Sequence, residues 1–479
     1  MKKITAIVLL LVIVIASLGV FVACDKKGQL GADFTVPEGG YDGSAVTIKF
    51  YHTMGQSLRK VLDKHIVKFN EIYPNITVEH SQVGGYDEVL NQINTELAGG
   101  SENAPHLAYC YSDHVAVYNL SKSAIKLDSL ADSTITNKDG SLVGFSQAQK
   151  DDFIERFYNE GKQFGDGATY QLPLSRSTEV LYYNKDFFDK NKLTVPTTWD
   201  EMEEVCKKIK EIDSSCTPLG YDSEANWFIT MAEQSGSSYT TLEGDENFTF
   251  VNDANKAFVK RLREWRQKGY IVTKSLNNNA YTSDLFKIGE VEGKLKTYMC
   301  IGSSGGATYQ RPAKIENATD GKNYLFEVGI ATLPQLDKSN PKAMSQGPSL
   351  CLFNKKNPQE VLAAWLFAKF LTTNVQFQAD FAMDSGYIPI IKSVNDDVIY
   401  KKWLANFDGY DFLTAYGAKM CTENQAACFT SPAFNGSSSA REQVGLLLAK
   451  CMSATTTDVD GFINAAFKEA YDKCIYDQQ

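Results

Sequence analysis

The sequence predicts an α/β protein of two lobes, and two observations support this prediction. The chain has 479 residues, more than a single hydrophobic core usually organises. In its first third, stretches with strand-like alternation are separated by stretches with helical spacing, and such an order is typical of parallel sheets covered by helices. Hydrophobic residues make up 43% and charged residues 22%, as in ordinary globular proteins.

The N-terminus predicts export and lipid attachment. Lys2 and Lys3 precede an uncharged, almost wholly apolar run that ends at Cys24. This pattern is typical of a bacterial lipoprotein signal, here 1–23, which is cleaved before a cysteine that then carries lipid. Phe21 departs from the Leu that such signals usually carry. The alternative is an uncleaved anchor, since about twenty helical residues span a bilayer. Both interpretations place the rest of the chain at the outer face of the bacterial cytoplasmic membrane.

Charge and cysteine spacing exclude two classes of site. The formal charge is −10 with no basic run, so nucleic-acid binding is not expected. None of the cysteines has the CxxC spacing of a zinc site, and no metal is expected. Cys206, Cys300 and Cys351 lie in apolar periodic stretches, which predicts buried thiols. Two disulfide pairings stay open: Cys421 with Cys428, and Cys451 with Cys474.

The elements of the first lobe follow in order. Residues 24–44 are Gly-rich and polar, and we expect a lipidated cysteine followed by a flexible tether. Alternation from Val46 predicts the first strand. Helical spacing over 58–72 predicts a helix, which Pro74 ends. A second strand, a helix and a third strand are expected at 76–78, 89–97 and 106–111.

Three short segments are expected at one rim of the predicted sheet. Ligands bind such sheets at the carboxyl ends of their strands, and a polar segment follows each of the three predicted strands. These segments are 51–54, 84–86 and 112–114. They carry His52 and His114, and two histidines alone do not make a metal site.

The segment 170–211 links the two lobes. Val180 to Tyr183 predicts a buried strand, and the polar cluster 175–178 directly precedes it. Thr198 and Glu201 fit a capping box, in which each side chain satisfies a backbone donor near the other. An apolar helix face then continues to Ile212.

A resemblance to a known family becomes visible at this segment. The run PLSRSTEVLYYNKDFF at 173–188, followed by PTTWDEM at 196–202, resembles the signature of extracellular solute-binding proteins of carbohydrate-type ABC importers. Further matching segments follow the family's order: FYHTMG, FNEIYPNITVE, GGYDEVLNQI, WFITMAEQSG, MCIGSSGG, SQGPSL, SGYIPI and FNGSSSAREQV. The pattern is most similar to the glycerol-3-phosphate-binding branch.

The resemblance implies a two-lobed, periplasmic-binding-protein-like (type II) clamp, in which each lobe is a mostly parallel sheet flanked by helices. The implied first lobe is 45–172 plus 345–385, and the second is 184–335 plus 391–479. The implied hinge crossings are 173–183, 336–344 and 386–390.

The resemblance also implies a ligand site between the lobes. The positions that match the branch's ligand residues are Tyr86, Ser177, Thr178, Trp227, Gly347, Tyr387 and Arg441. Asp113 lies one residue from the position of a ligand glutamate, which Ser112 occupies here, and this departure weighs against polyol recognition. Arg441 matches a phosphate-binding arginine. Tyr86, Ser177, Thr178, Trp227 and Arg441 also have a structural alternative, and for Trp227 that alternative is the hydrophobic core.

Three more residues are candidates on chemical grounds. Arg176 stands where the branch has an uncharged residue. It could pair bidentately with a phosphate or carboxylate, or it could be a solvated surface arginine. Ser303 and Ser304 precede two glycines, and small residues at a helix start leave backbone N–H groups free for an anion.

The expected function is binding, not catalysis, and no cofactor is expected. The sequence has no HExxH, nucleophile elbow or Walker motif. We expect a monomer that captures a sugar or a phosphorylated polyol of the glycerol-3-phosphate or glycerophosphodiester type. Its lobes close by hinge bending and deliver the solute to an ABC permease with a separate ATPase. The alternatives are an oligosaccharide-binding protein of the same importer class, a secreted glycosidase and a sensor input module.

Overall fold

The computed structural model describes residues 31–315, 324–409 and 412–478. The predicted signal, Cys24 and the start of the predicted tether lie outside the described residues. Within those ranges, no helix combines the length and the apolar character that crossing a bilayer requires.

Two β-sheets form the centres of two lobes. The first sheet has the strand order β2-β1-β3-β11-β4, and the second has the order β12-β10-β5-β8-β6-β7, with β9 also paired to β5. The strands are β1 Val46–His52, β2 Ile76–Gln82, β3 Leu107–Cys110, β4 Leu172–Pro173, β5 Ser177–Asn184, β6 Leu219–Tyr221, β7 Ile271–Thr273, β8 Met299–Ser303, β9 Val328–Thr332, β10 Ala343–Gln346, β11 Ser349–Leu352 and β12 Cys428–Phe429.

Helices cover both sheets. The α-helices are α1 Gln56–Ile72, α2 Tyr86–Leu97, α3 Ser112–Leu120, α4 Asp128–Ala131, α5 Gln147–Asp152, α6 Glu155–Asn159, α7 Lys185–Asn191, α8 Trp199–Ile212, α9 Glu224–Gln234, α10 Asp253–Gln267, α11 Ser283–Phe286, α12 Pro358–Thr373, α13 Val375–Ser385, α14 Val398–Ala405, α15 Leu413–Glu423, α16 Ser437–Ser453 and α17 Val459–Gln478. The 3₁₀ helices are Glu160–Lys162, Ser275–Asn277, Ser304–Gln310, Lys392–Asp396 and Gln425–Ala427.

Both sheets are mixed, which corrects the expectation of mostly parallel sheets. In the first, β1 pairs in parallel with β2 and β3, whereas β11 runs antiparallel to β3 and β4. In the second, β5 runs antiparallel to β8, β9 and β10. Parallel neighbours need a long crossover connection. A strand that arrives directly from the other lobe has no such constraint, and β5 and β11 both arrive in this way.

The chain passes between the sheets at 174–176 and again at 347–348. The second passage comes later than the predicted crossing at 336–344, because β10 is still hydrogen-bonded to β5 and β12 in the second sheet. Gly347 has a φ of 118°, and a Cβ there would lie 2.4 Å from the carbonyl oxygen of Ser175. The two passages therefore run in close contact, which glycine permits.

Two segments pack differently from the prediction. Residues 31–44 are no flexible tether, because Ala32 forms a bridge to Ile125 and Tyr41 is buried in the first core. The sequence predicts a hinge crossing at 386–390 and second-lobe structure from residue 391, yet Ile388, Ile391 and Tyr400 are part of the first core. In both cases, burial of apolar side chains anchors the segment to the first core.

Most of the predicted elements are confirmed. Strands and helices occur in the predicted order from β1 to β3, and α1 ends before Pro74. The capping box of α8 is present, with the Glu201 N–H donating to Thr198 Oγ1 at 3.1 Å and the Thr198 N–H donating to Glu201 Oε2 at 3.2 Å. Ile212, expected on the apolar face of α8, is instead exposed.

The cysteines of the described residues are all free thiols. Cys206, Cys300 and Cys351 are buried, as expected. Neither of the disulfide pairings that the sequence left open is formed. Cys428 is half-buried, and its thiol donates to the carbonyl oxygen of Asn424 at 3.6 Å.

Candidate functional site

A cavity of about 80 Å³ lies between the two lobes. Its wall is formed by α3, β11 and the segment around Glu160 on one side, and by β10, the segment 430–432 and α16 on the other. The lining residues are Tyr111, Ser112, Asp113, Glu160, Gln163, Gln171, Arg176, Tyr239, Met344, Ser345, Gln346, Gly347, Ser349, Thr430, Ser431, Pro432 and Arg441. Of the residues predicted to bind ligand, Asp113, Arg176, Gly347 and Arg441 are therefore on the cavity wall.

Arg176 joins the two passages between the sheets and is also bonded to the first-lobe segment at Ile388. Its backbone exchanges hydrogen bonds with Ile388, at 3.0 and 2.7 Å. Its Nη1 donates to the carbonyl oxygens of Ser175 (2.9 Å) and Pro348 (3.1 Å), and its Nη2 donates to Ser349 Oγ (3.0 Å). The side chain is only 3% exposed, so the alternative of a solvated surface arginine is wrong.

The charge of Arg176 is compensated by Glu160. Arg176 Nε donates to Glu160 Oε2 at 2.6 Å, and Ser345 Oγ donates to Glu160 Oε1 at 2.7 Å. With this contact, four of the five N–H donors of the guanidinium are used within the protein. The pair holds the passages 174–176 and 347–348 together and leaves Arg176 little capacity for a ligand.

Arg441 is the second cation of the cavity. It lies in α16, its Nη2 donates to Asn226 Oδ1, and its guanidinium carbon lies 5.8 Å from the ring centroid of Tyr111 on the other lobe. Burial, the largest single influence, lowers the pKa of Arg441, but the charges of Asp113, Glu179 and the neighbouring tyrosines together outweigh burial, and the pKa lies above its ordinary value. Arg441 is thus held as a cation, and its Nε makes no hydrogen bond within the described residues.

Asp113 faces the cavity from the first turn of α3, directly after β3. Its Oδ1 accepts from the backbone N–H of His114 at 3.2 Å. Its Oδ2 is buried and has no hydrogen-bond partner among the described residues. A buried carboxylate oxygen without a donor is costly, so this atom is well suited to a hydroxyl or cationic group of a ligand.

A buried carboxylate lies behind Arg441. Glu179 Oε2 accepts from the Tyr221 hydroxyl, and its Oε1 accepts from Asn226 Nδ2 at 2.9 Å. Burial raises the pKa of Glu179 to about 7, against the opposing effect of these two hydrogen bonds. Asn226 therefore connects Glu179 to Arg441, since its amide donates to Glu179 and accepts from Arg441.

Stacked tyrosines support the first-lobe wall. The rings of Tyr86 and Tyr111 are 4.1 Å apart and 24° from parallel. Burial raises the pKa of both Tyr86 and Tyr387. Tyr387 packs against Gly305, where a Cβ would lie 2.6 Å from its ring. Of the residues at the predicted rim, Asp113 lines the cavity. Tyr86 and Tyr387 lie behind the cavity wall.

Five other predicted ligand residues do not reach the cavity. Ser303 Oγ donates to Ser177 Oγ at 3.0 Å, and Thr178 Oγ1 donates to the carbonyl oxygen of Met344 at 2.9 Å. Ser304 Oγ accepts from the Thr178 N–H at 3.3 Å. The Trp227 ring stacks on Tyr221 at 4.6 Å and is buried in the second core. The four hydroxyl side chains connect β5 to β8, β10 and the 3₁₀ helix that follows β8. The ligand roles of all five residues stay predictions.

Several residues of the cavity wall were not predicted from the sequence. Glu160 and Gln163 lie in a short irregular stretch, and Thr430 and Ser431 lie in a loop without periodicity. Tyr111 carried a usable signal, because it directly follows the carboxyl end of β3. Gln171 directly precedes β4 and carried no such signal. His52 and His114 do not form a shared centre. His52 Nε2 lies 2.8 Å from His80 Nδ1, and within the described ranges no cluster could hold a metal ion.

Comparison with known sequences supports the interpretation of a ligand site. A family model described as a bacterial extracellular solute-binding protein matches residues 64–408. Among curated proteins, the sn-glycerol-3-phosphate-binding periplasmic protein UgpB of Escherichia coli (strain K12) is 24% identical over 359 residues, which are 74% of this chain and 76% of the relative.

Solved structures share the fold of this chain. UgpB from Mycobacterium tuberculosis, in complex with glycerophosphocholine, matches with a TM-score of 0.70 at 19% identity, over 90% of this chain and 99% of the other. The GacH receptor of Streptomyces glaucescens, solved unliganded and with acarbose, matches with a TM-score of 0.68 at 16% identity, over 89% and 99%. The Bdellovibrio bacteriovorus domain MalE, bound to maltotriose, gives 0.65 at 18% identity, over 90% and 99%.

Proposed function

This chain belongs to the bacterial extracellular solute-binding proteins, and we propose that it captures a glycerophosphodiester between its lobes for an ABC importer. Its fold is the two-lobed type II periplasmic-binding-protein fold. The proposal includes closure by hinge bending at the passages between the sheets, delivery to a permease with a separate ATPase, action as a monomer and attachment to the membrane through lipid on Cys24.

The observation that carries the proposal is the charge arrangement of the cavity. Arg441 is held as a cation on the wall, and Asp113 presents an oxygen without a partner on the opposite lobe. A phosphodiester oxygen suits the guanidinium. A hydroxyl or cationic group at the other end of the same solute suits Asp113.

The balance of charges favours a diester over a phosphate monoester. Each arginine of the cavity already has a carboxylate near it, Glu160 for Arg176 and Asp113 for Arg441. A monoester carries nearly two negative charges at neutral pH, and the second would be buried without compensation. A diester carries one, and a cationic head group can offset it. Glycerophosphocholine, the ligand of the M. tuberculosis relative, has this chemistry.

The size of the cavity favours a compact solute. A water needs about 10–15 Å³ of such space, so about 80 Å³ holds on the order of five to eight water-sized groups. A glycerophosphodiester exceeds this volume by much less than an oligosaccharide does, so it needs the smaller opening of the lobes. Oligosaccharide binding is nevertheless the second candidate, because Tyr111, which is stacked on Tyr86, lines the cavity with an aromatic ring of the kind that sugars stack on.

A thermal-shift screen of the full chain in detergent tests the proposal. At about 100 times its dissociation constant, a bound ligand stabilises by about 2.7 kcal/mol. We expect glycerophosphocholine to raise the melting temperature and maltotriose not to. The opposite pattern would establish the oligosaccharide candidate and overturn the first.

A matched pair of variants links the shift to the cavity. Arg441→Met should abolish the shift, because it removes the cation from the wall. Arg59→Met, in α1 and away from the cavity lining, should keep it. Recovery of the ligand unchanged after incubation, checked by mass spectrometry, tests binding against hydrolysis.

A further inference from the structure

We infer that the buried carboxylate of Glu179 sets the charge specificity of the cavity and selects solutes without net charge over anionic ones. This inference rests on the proposed function and deepens it. Glu179 does not line the cavity, so it acts on the solute through Arg441 and is a specificity-determining residue rather than a contact residue.

The connection from Glu179 to the cavity consists of two hydrogen bonds. Asn226 Nδ2 donates to Glu179 Oε1 at 2.9 Å, and Asn226 Oδ1 accepts from Arg441 Nη2. An arginine only donates and an ionised carboxylate only accepts. The amide of Asn226 can therefore take a single orientation, which holds the guanidinium of Arg441 in place on the cavity wall.

Burial makes the charge of Glu179 effective. The residue is only 2% exposed, and charges in such an environment are weakly screened. Arg441 lies between two carboxylates, Asp113 on the cavity side and Glu179 behind it. With both carboxylates ionised, the positive charge of Arg441 is more than matched, so an anionic solute gains little from entering. With Glu179 neutral, the same solute meets a more positive cavity.

Glu179 changes its charge within an accessible pH range. Its pKa is raised by burial to about 7, and the groups that face it are Tyr221, Asn226, Arg441 and Asp222. Tyr221 does not ionise in this range, since burial raises its pKa further. The pKa of His114, near Asp113, is lowered by burial, so His114 stays neutral. The preference for uncharged solutes should therefore grow as the pH rises through 7.

Two diesters of different charge provide the test. Glycerophosphocholine has no net charge and glycerophosphoglycerol carries one negative charge, and neither titrates between pH 6 and 8. The quantity measured is the dissociation constant of glycerophosphoglycerol divided by that of glycerophosphocholine. It is obtained by calorimetry on the full chain at pH 6 and at pH 8. In the wild-type protein we expect glycerophosphoglycerol to lose about fivefold relative to glycerophosphocholine between pH 6 and 8, since an interaction worth one pKa unit gives tenfold only when the titration is complete.

In the variant Glu179→Gln, the ratio should stay at the low value that the wild type has at pH 6, and it should not rise at pH 8, because the amide is isosteric and uncharged. The control is Asp380→Asn, which removes a largely buried carboxylate of the first lobe, one that is bonded to Lys64 and His65 and lies away from the cavity lining. This control should keep the rise with pH.

The outcomes separate the two proposals. If wild-type protein binds neither diester, the proposed function falls and this inference falls with it. If it binds both and E179Q shows the same rise with pH as wild type, only the role of Glu179 is overturned. Should E179Q fail to fold, the wild-type ratio decides: a ratio that is constant between pH 6 and 8 overturns the inference, and a rise supports it.

Discussion

Replacing Glu160 by Gln would leave the buried cation of Arg176 without its counter-ion. The side chains of Arg176 and Glu160 are only 3% and 12% exposed. Removing one partner of a buried ion pair costs about 3–5 kcal/mol. The remaining amide oxygen of Gln can still accept from Nε, and the carbonyl acceptors of Arg176 are unchanged. We therefore expect the lower end of this range, about 3 kcal/mol.

Thermal unfolding measures this effect directly. For units of 150–250 residues, about the size of one lobe, 1 kcal/mol corresponds to about 2–4 °C, so the expected decrease for E160Q is about 6–12 °C. The matched control is Asp132→Asn, which breaks the pair between Asp132 and Lys150. The side chain of Asp132 is 68% exposed and that of Lys150 is 38% exposed. An exposed pair contributes about 0–1 kcal/mol, and its loss should lower the melting temperature by at most about 4 °C.

A double-mutant cycle distinguishes the ion pair from general damage. In the background Arg176→Gln there is no buried cation to leave unpaired, so E160Q should cost much less there than in wild type. The reasoning would be refuted by an E160Q protein that melts within the range of the D132N control. It would equally be refuted by additive effects of the two changes, because additivity means that Glu160 and Arg176 do not interact.

Three further outcomes are expected. Thr198→Ala removes the cap of α8 and should lower stability by about 1 kcal/mol, measured by thermal unfolding; an unchanged melting temperature would show that the cap contributes nothing. The pKa of Glu179 is raised from 4.5 to about 7, so stability should fall as pH rises from 4.5 to 7 and stay level above; E179Q should lack this fall, and an identical pH profile would contradict the assignment. The thiols are buried except for the half-buried Cys428, so a thiol reagent should label the native protein at Cys428 alone among the described cysteines; labelling of Cys110 before unfolding would contradict this packing.

Local patterns in the sequence predicted local structure well. The capping box at Thr198 and Glu201 and the first three strands depend on residues near one another in the chain. The segment 31–44 shows the limit of such reasoning. Its glycines and polar residues indicated a tether, whereas Tyr41 anchors it in a core that also contains residues hundreds of positions away, such as Trp365.

Motif position was a weaker guide to side-chain roles. Trp227 and Arg441 both match ligand positions of the family, yet the structure buries Trp227 in the second core and places Arg441 on the cavity wall. Which face of an element points at the cavity depends on how the two lobes meet. A motif defined along one segment does not contain that information.

The sequence by itself determined the family, the α/β class and the presence of charged side chains near the passages between lobes, because hydrophobic periodicity and caps act over a few residues. Only the tertiary structure decided what those charges do. Arg176 is bonded to Glu160, 16 residues earlier, and to Ser349, 173 residues later. Arg441 reaches Asn226, 215 residues away. An ion pair in a low-dielectric interior depends on distances of a few ångströms, and such distances exist only once both lobes have folded and met.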